Sequence, residues 1–314
     1  MAMKQPHVVI FPFPLQGHMK PLLCLAELLC HAGLHVTYVN THHNHERLAN
    51  RQALSTHFPT LHFESISDGL PEDDPRTLSS QLLIALKTSI RPHFRELLKT
   101  LSIKAESNDA LVPPPSCIMT DGLVTFAFDV AEELGLPILS YNVPCPRYLW
   151  TCLCLPKLIE NGQLPFQDDD MNVEITGVPG MEGLLLRQDL PGFCRVKQAD
   201  HPSLQFAINE TQTLKRASAL ILDTVYELDA PCISHMALTT VCRQWKIGLQ
   251  LNENCDRSNI ESMVQTLMGP KREEIQSSMD AISKLARDSV AEGGSSHNNL
   301  EQLIEYIRNL QHQN

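Results

Sequence analysis

Short apolar runs alternate with helical patterns along the first part of the chain. Residues 7–11 (HVVIF) form a mostly apolar, β-branched run that is typical of a buried parallel strand. Residues 20–30 then repeat apolar positions at helical spacing, and residues 34–39 form a second strand pattern. A strand, a helix and a strand in this order predict a βαβ unit with a right-handed crossover.

The same alternation returns later in the chain. Residues 116–120 and 138–141 have strand patterns on either side of a helical pattern over residues 124–134. Another apolar run, residues 219–222, stands directly before Asp223. Strands and helices that alternate over this length predict an α/β fold with a doubly wound parallel sheet.

Residues 241–314 have a different pattern. Three amphipathic helical patterns predominate, around residues 258–267, 275–285 and 300–310, and strand patterns are nearly missing. The apolar faces of these helices need a partner surface, because isolated short helices are marginal in water. We therefore expect one domain over residues 1–240, followed by a mostly helical tail.

Composition and charge exclude several classes of function. Of the 314 residues, 43% are apolar and 19% are charged, a balance that supports a buried core. The net charge of −11 repels a nucleic-acid backbone, so we expect no nucleic-acid partner. No run reaches the roughly 18 apolar residues that a membrane helix needs, and no signal peptide is recognisable. Ten cysteines without an export signal indicate reduced thiols, which predicts a cytoplasmic protein.

Two polar side chains follow predicted strands, where open parallel sheets bind their ligands. His18 comes after the first strand and before a helix, and Asp121 follows the strand at residues 116–120. The positive end of a helix favours a neutral imidazole, and a carboxylate on the other ring nitrogen would stabilise the imidazolium after proton transfer. The pair suits deprotonation of a hydroxyl or a carboxylic acid. A turn histidine and a loop-capping aspartate are the alternative.

Several segments resemble one family. Residues 11–21 (FPFPLQGHMKP), 120–122 (TDG) and 221–228 (ILDTVYEL) are similar to segments of the plant UDP-dependent glycosyltransferases of family 1. Residues 245–249 (WKIGL) and 292–296 (EGGSS) resemble the C-terminal end of the same family. Within the family, the chain resembles the iridoid glucosyltransferases that act on 7-deoxyloganetic acid.

The resemblance implies a fold and a reaction. The fold is GT-B, in which an N-terminal Rossmann-like domain holds the acceptor and a C-terminal one binds the UDP-sugar. The resemblance also implies that His18 is the general base and Asp121 its partner. The reaction would be an inverting transfer of glucose from UDP-glucose to a small lipophilic acceptor, without a metal or another cofactor.

One part of the family pattern is missing. The donor-binding signature has a His-x-Gly-Trp-Asn-Ser core, and no such segment stands between the two resembling parts. Residues 241–314 therefore resemble a truncated remnant of the donor domain, and we expect it to dock imperfectly, with exposed apolar area around Trp245, Ile247 and Leu249. Positioning of reactants supplies roughly 7–11 kcal/mol of barrier lowering. The sequence thus predicts little or no transferase activity for this chain by itself.

An acceptor pocket is expected at the same edge of the sheet. Such pockets are mostly apolar with few polar anchors, which points to a lipophilic small molecule. Besides the loop over residues 181–193, the predicted acceptor-binding residues are Phe13, Gln16, Asn142, Pro144 and Tyr148.

Two other clusters carry possible metal ligands. His42, His43 and His45 lie after the second strand, where a solvated turn is the favoured interpretation over a metal site. Cys152 and Cys154 lie in an apolar run, which favours core packing or pocket lining.

The sequence leaves two classes of function open. One is a family-1 glycosyltransferase that is active through another chain, or that resembles the family only in its N-terminal half. The other is a non-catalytic module that binds a small molecule or a full-length relative. A product of aberrant splicing is a third possibility, and the oligomeric state is not predicted.

Overall fold

A computed structural model describes residues 5–106, 111–225 and 272–310. Helices and strands alternate through its first part, as the sequence pattern predicts. The strands are β1 (His7–Phe11), β2 (His35–Thr41), β3 (Leu61–Ile66), β4 (Cys117–Asp121), β5 (Ile138–Asn142) and β6 (Ala219–Leu222). The α-helices are α1 (Gln16–His31), α2 (His42–Arg47), α3 (Arg51–His57), α4 (Ser80–Ala85), α5 (Arg91–Ala105), α6 (Phe126–Leu134), α7 (Pro146–Glu160), α8 (Pro202–Thr213), α9 (Arg272–Val290) and α10 (Ser295–Leu310).

The six strands form one parallel sheet in the order β3-β2-β1-β4-β5-β6. This is the order of a doubly wound Rossmann fold, in which the winding direction reverses between the first and fourth strands. Ligands of such sheets bind at the carboxyl ends of the strands beside that reversal. In this protein, β1 and β4 flank the reversal.

The core lies on both faces of the sheet. The side chains of β1 are completely buried, as expected for a central parallel strand. On one face, the ring of Phe11 stacks on Phe94 of α5 with 5.1 Å between ring centroids. On the other face, α1 buries an apolar stripe that includes Leu22, Leu25 and Leu29.

Several predicted boundaries shift in the structure. Helix α1 begins at Gln16 rather than near residue 20, so His18 lies inside its first turn and not before it. The prediction was wrong because it placed Pro21 in the first turn, whereas the first turn closes earlier, through hydrogen bonds from the amides of His18 and Met19 to Leu15 O. Asp121 is the last residue of β4 and not the first residue after it.

The chain divides into two compact units. One comprises residues 1–144, 209–223 and 301–314, which contain the whole sheet, and the other comprises residues 145–208 and 224–300. The predicted boundary at residue 240 lies outside the described residues, as do Trp245, Ile247 and Leu249, so these expectations stay predictions. No helix within the described ranges is both long and apolar enough to cross a membrane.

The second unit has its own apolar core. Side chains of α7 pack there against a stretch without long helices or strands, and this core includes Leu155, Leu158, Met181 and Leu190. The stretch contains one isolated bridge between Glu174 and Leu186, together with two short 3₁₀ turns. The loop predicted over residues 181–193 lies within this stretch and contains the first of these 3₁₀ turns.

Candidate active site

His18 and Asp121 meet at the carboxyl edge of the sheet. The Nδ1 atom of His18 lies 2.7 Å from Oδ2 of Asp121. The Asp121 side chain is 1% exposed and the His18 side chain is 19% exposed, so the imidazole lies between a buried carboxylate and the surface. Because an ionised carboxylate only accepts hydrogen bonds, Nδ1 of a neutral His18 carries the proton and Nε2 has a free lone pair. The arrangement can accept a proton at Nε2.

The surroundings of His18 leave that second nitrogen available. Within the described part of the chain, Nε2 makes no hydrogen bond. The ring packs against Phe13, with 5.2 Å between ring centroids and an interplanar angle of 54°. Phe13 is completely buried, so its ring restricts the orientations that the imidazole can adopt.

The turn after β4 fixes the carboxylate of Asp121. The second carboxylate oxygen, Oδ1, accepts a hydrogen bond from the amide of Leu123 at 2.9 Å. Gly122 follows Asp121, and a Cβ atom at that position would lie 2.3 Å from Oδ1 of Asn142. An alanine at this position would therefore force the buried side chain of Asn142 to move.

The buried carboxylate of Glu210 supports the residues that follow this turn. Thr125 Oγ1 donates a hydrogen bond to Glu210 of α8, and Lys87 Nζ lies 2.8 Å from the second oxygen of Glu210. Lys87 belongs to a π-helical turn, Leu86–Ile90, between α4 and α5. An ion pair and a hydroxyl thus anchor the start of α6 close to Asp121.

Strand β2 and helix α2 contribute polar side chains on the side of β1 opposite to β4. The hydroxyl of Tyr38 donates to the carbonyl of Met19 at 2.6 Å, and Asn44 Nδ2 donates to the carbonyl of Pro14 at 3.0 Å. Asn40 is 2% exposed, and neither polar atom of its amide has a hydrogen-bond partner among the described residues. Sequence reasoning assigned no role to these three residues, although their position near the end of a predicted strand was a usable signal.

A second acidic residue lies at the end of β6. Asp223 accepts a side-chain hydrogen bond from Tyr141, the residue that pairs with Asp121 in the sheet. Burial raises the pKa of Tyr141 above its ordinary value, and the adjacent Asp223 raises it further. Partial burial raises the pKa of Asp223, whereas the hydrogen bond from Tyr141 lowers it by a smaller amount. Tyr141 therefore stays a hydrogen-bond donor at neutral pH.

The predicted acceptor-binding residues have different environments. Asn142 is buried and donates to the carbonyl and hydroxyl of Ser140, whereas Gln16 is exposed in the first turn of α1. Pro144 is half-buried, and Tyr148 is exposed on α7 in the other compact unit. Phe13 is the one member of the set with a recorded ring contact to His18. The acceptor-binding roles stay predictions.

The two other clusters do not form metal sites in the described ranges. No group of three potential ligands among His, Cys, Asp and Glu is close enough there to hold a metal ion. His42 instead bonds through Nδ1 to Ser65 Oγ at 3.0 Å. Cys152 and Cys154 are buried in the core of the second unit, which confirms the core-packing interpretation. Burial raises the pKa of Cys152 to about 12, so this thiol stays protonated.

Comparisons with known proteins support one family. Residues 4–131 match the family described as glycosyltransferase, N-terminal domain. The chain is 45% identical to mogroside I-A1 synthase of Siraitia grosvenorii over 237 residues, which cover 75% of this chain and 44% of the relative. It is 37% identical to 7-deoxyloganetic acid glucosyltransferase of Catharanthus roseus over 269 residues, which cover 83% of this chain and 55% of the relative.

The fold is similar to that of a solved structure. With Medicago truncatula UGT71G1 complexed with UDP-glucose, the TM-score is 0.57 at 19% identity, and the match covers 84% of this chain and 57% of that one. At this identity, the similarity concerns the fold alone. The chain spans about half the length of the curated relatives named above.

Proposed function

Because this chain is a homologue of the plant UDP-glycosyltransferases, we propose that it binds a small lipophilic acceptor and activates its hydroxyl or carboxyl group for glucosyl transfer. The observation that carries the proposal is the 2.7 Å contact between His18 Nδ1 and Asp121. It leaves Nε2 as the free base at the edge of the sheet where ligands of doubly wound folds bind.

The proposed chemistry is a single displacement. Nε2 of His18 takes the proton of the acceptor, and the acceptor oxygen forms a bond to the anomeric carbon of glucose. The bond between that carbon and the UDP oxygen breaks, and its electron pair leaves with UDP. Asp121 stabilises the imidazolium that forms, because a buried carboxylate lies against its Nδ1–H. No resident cofactor takes part, since UDP-glucose is a co-substrate.

The test uses the full chain, UDP-glucose and a panel of lipophilic alcohols and carboxylic acids, with glucosides measured by mass spectrometry. We expect slow glucoside formation by the wild-type chain. We expect His18→Ala to lower this rate roughly 10²–10⁴-fold, the contribution that is typical of a general base. His93→Ala is the control, because His93 is exposed and also bonds through Nδ1, in its case to Ser89 O. Equal glucoside formation by wild type and His18→Ala would contradict the proposal.

A second candidate function is a binding module without catalysis. The sequence favours it through the missing His-x-Gly-Trp-Asn-Ser segment. This candidate predicts that the chain binds an acceptor but neither binds UDP-glucose nor forms a glucoside. Glucoside formation by the full chain at a high concentration of UDP-glucose separates the two candidates, because only the first predicts any product.

We also propose a cytoplasmic location. The proposal is supported by the cysteines at described positions, all of which are free thiols. A fluorescent fusion of the full chain in plant cells tests it, and accumulation in a secretory compartment would contradict it.

A further inference from the structure

The helical turn that carries His18 has little support of its own. Leu15, the residue before α1, makes no side-chain capping hydrogen bond, and Gly17 in the first turn is a poor helix former. Pro21 lies inside the helix, where its missing N–H leaves the carbonyl of Gly17 without the usual helical partner. Contacts from outside α1 therefore add to the two backbone hydrogen bonds that close this turn on Leu15 O.

Tyr38 provides one such contact. Its side chain is almost completely buried on β2, and its hydroxyl donates to the carbonyl of Met19, the residue after His18. Burial raises the pKa of Tyr38 well above its ordinary value, so the phenol keeps its proton at every physiological pH. The short distance of 2.6 Å is consistent with a strong hydrogen bond at this position.

Asn44 provides a second contact, on the loop before the helix. Its Nδ2 atom donates to the carbonyl of Pro14 at 3.0 Å. The backbone amide of Asn44 donates to Thr41 Oγ1 at 3.3 Å, which caps helix α2 and holds Asn44 in place. The loop between β1 and α1 is thereby tied to the end of β2.

These contacts act from the side opposite Asp121. Strand β1 lies between β2 and β4, so Tyr38 and Asn44 hold the backbone on one flank while Asp121 holds the imidazole on the other. We propose that Tyr38 and Asn44 are positioning residues, which keep the imidazole of His18 in contact with Asp121 by fixing the backbone on either side of it. This inference rests on the proposed function of His18 as the base.

The chain offers matched controls for both contacts. The hydroxyl of Tyr306 also donates to a backbone carbonyl, that of Ser218 at 3.4 Å, and the Nδ2 atom of Asn298 donates to the carbonyl of Gly293 at 3.0 Å. Tyr38→Phe is therefore compared with Tyr306→Phe, and Asn44→Ala with Asn298→Ala. Within each pair, both variants remove the same chemical group from a hydrogen bond to a backbone carbonyl. The test variant does so near His18, and the control variant does so elsewhere in the chain.

The first measurement is the tautomer of His18, by nitrogen-15 NMR of the full-length protein. We expect wild type and both controls to keep the proton on Nδ1. We expect Tyr38→Phe and Asn44→Ala to show a mixture of tautomers, because the ring loses its fixed contact with the carboxylate. A single Nδ1–H tautomer in both test variants would overturn the inference, whether or not the chain turns over substrate.

The second measurement is the rate of glucoside formation as a function of acceptor concentration. We expect kcat to fall roughly 10- to 100-fold in Tyr38→Phe, as for a small misplacement of a reacting group, while KM stays within about twofold. Equal thermal unfolding of Tyr38→Phe and Tyr306→Phe separates this effect from loss of fold. If His18→Ala is inactive and Tyr38→Phe retains the full kcat, the positioning role is wrong while the proposed function stands. If His18→Ala keeps full activity, the proposed function itself fails.

Discussion

At the scale of single residues, the environment of Asp121 depends on the absence of one side chain. A Cβ atom on Gly122 would collide with the side-chain amide of Asn142, which lies on the neighbouring strand. Gly17, close to His18 in sequence, has no atom within 4 Å of the corresponding position. Gly17 therefore has room for a side chain, whereas Gly122 does not.

The first prediction compares these glycines. We expect Gly122→Ala to lower the free energy of unfolding by about 1–3 kcal/mol and to lower glucoside formation, because the buried side chain of Asn142 or the turn holding Asp121 must shift. We expect Gly17→Ala to raise the free energy of unfolding by up to about 1 kcal/mol, since alanine favours the helix. Chemical denaturation measures both. Equal stability of the two variants would show that the turn adapts without strain.

A second residue-scale prediction concerns Asn40. Its buried amide makes no hydrogen bond within the described ranges. A leucine of similar size would remove the cost of burying an unpaired amide, so we expect Asn40→Leu to raise the free energy of unfolding by about 1–3 kcal/mol. A lower stability of Asn40→Leu in urea denaturation would indicate that the amide has a partner in the folded protein.

A third residue-scale prediction concerns His7 at the start of β1. This residue is completely buried, and its ring bonds to Pro113 O and Thr37 Oγ1, each at 2.8 Å. Burial lowers the pKa of His7 from 6.5 to about 4. The unfolded chain therefore binds a proton before the folded protein does as the pH falls.

Consequently, the free energy of unfolding should decrease between pH 6.5 and about 4, and the His7 contribution should level off below that range. The decrease attributable to His7 amounts to about 3 kcal/mol at most. Urea denaturation across this range measures it. We expect His7→Gln to have a shallower dependence that keeps the same sign, because burial also lowers the pKa values of His35 and His62. An unchanged slope in His7→Gln would contradict the assignment.

At the scale of elements, the last helix belongs to the same compact unit as the sheet. Residues 301–314 are part of that unit, and Ile304, Ile307 and Leu310 of α10 are buried. Arg308 donates a hydrogen bond to the carbonyl of Ala32 at 2.8 Å, directly after α1. The C-terminal half of α10 thus contributes to the stability of the unit that carries His18 and Asp121.

The element-scale prediction follows from that packing. We expect Ile307→Ala to lower the free energy of unfolding by about 2–5 kcal/mol, because Ile307 is 0% exposed and its truncation leaves a cavity. Ile103→Ala is the control, since Ile103 on α5 is 68% exposed. Thermal and urea denaturation give the comparison. A loss no larger than that of the control would mean that α10 docks only loosely.

At the scale of the whole molecule, the prediction concerns UDP-glucose. The donor-binding segment of the resembling family is missing from the sequence, so no equivalent group would position the diphosphate. We expect calorimetry with the full chain to detect weak binding or none, with a Kd above about 1 mM, a binding free energy weaker than about −4 kcal/mol. Micromolar binding would contradict the prediction and would locate a donor site in the present chain.

The sequence by itself determined the local structure and the chemistry. Strands such as residues 7–11 and 219–222 could be predicted, because a short run of apolar residues is visible in the sequence alone. Strand β3 was not predicted, since most of its residues are half-buried at the edge of the sheet and show no strict alternation. His18 and Asp121 were identified from residue type, position after a strand and family resemblance.

Only the tertiary structure decided which groups meet. His18 and Asp121 are 103 residues apart in sequence, and the strand order brings them together by placing β4 beside β1. The same packing places Tyr38 and Asn44 against the turn that carries the base. Local patterns contain no information on such distances, because each depends on how several strands and helices pack at once.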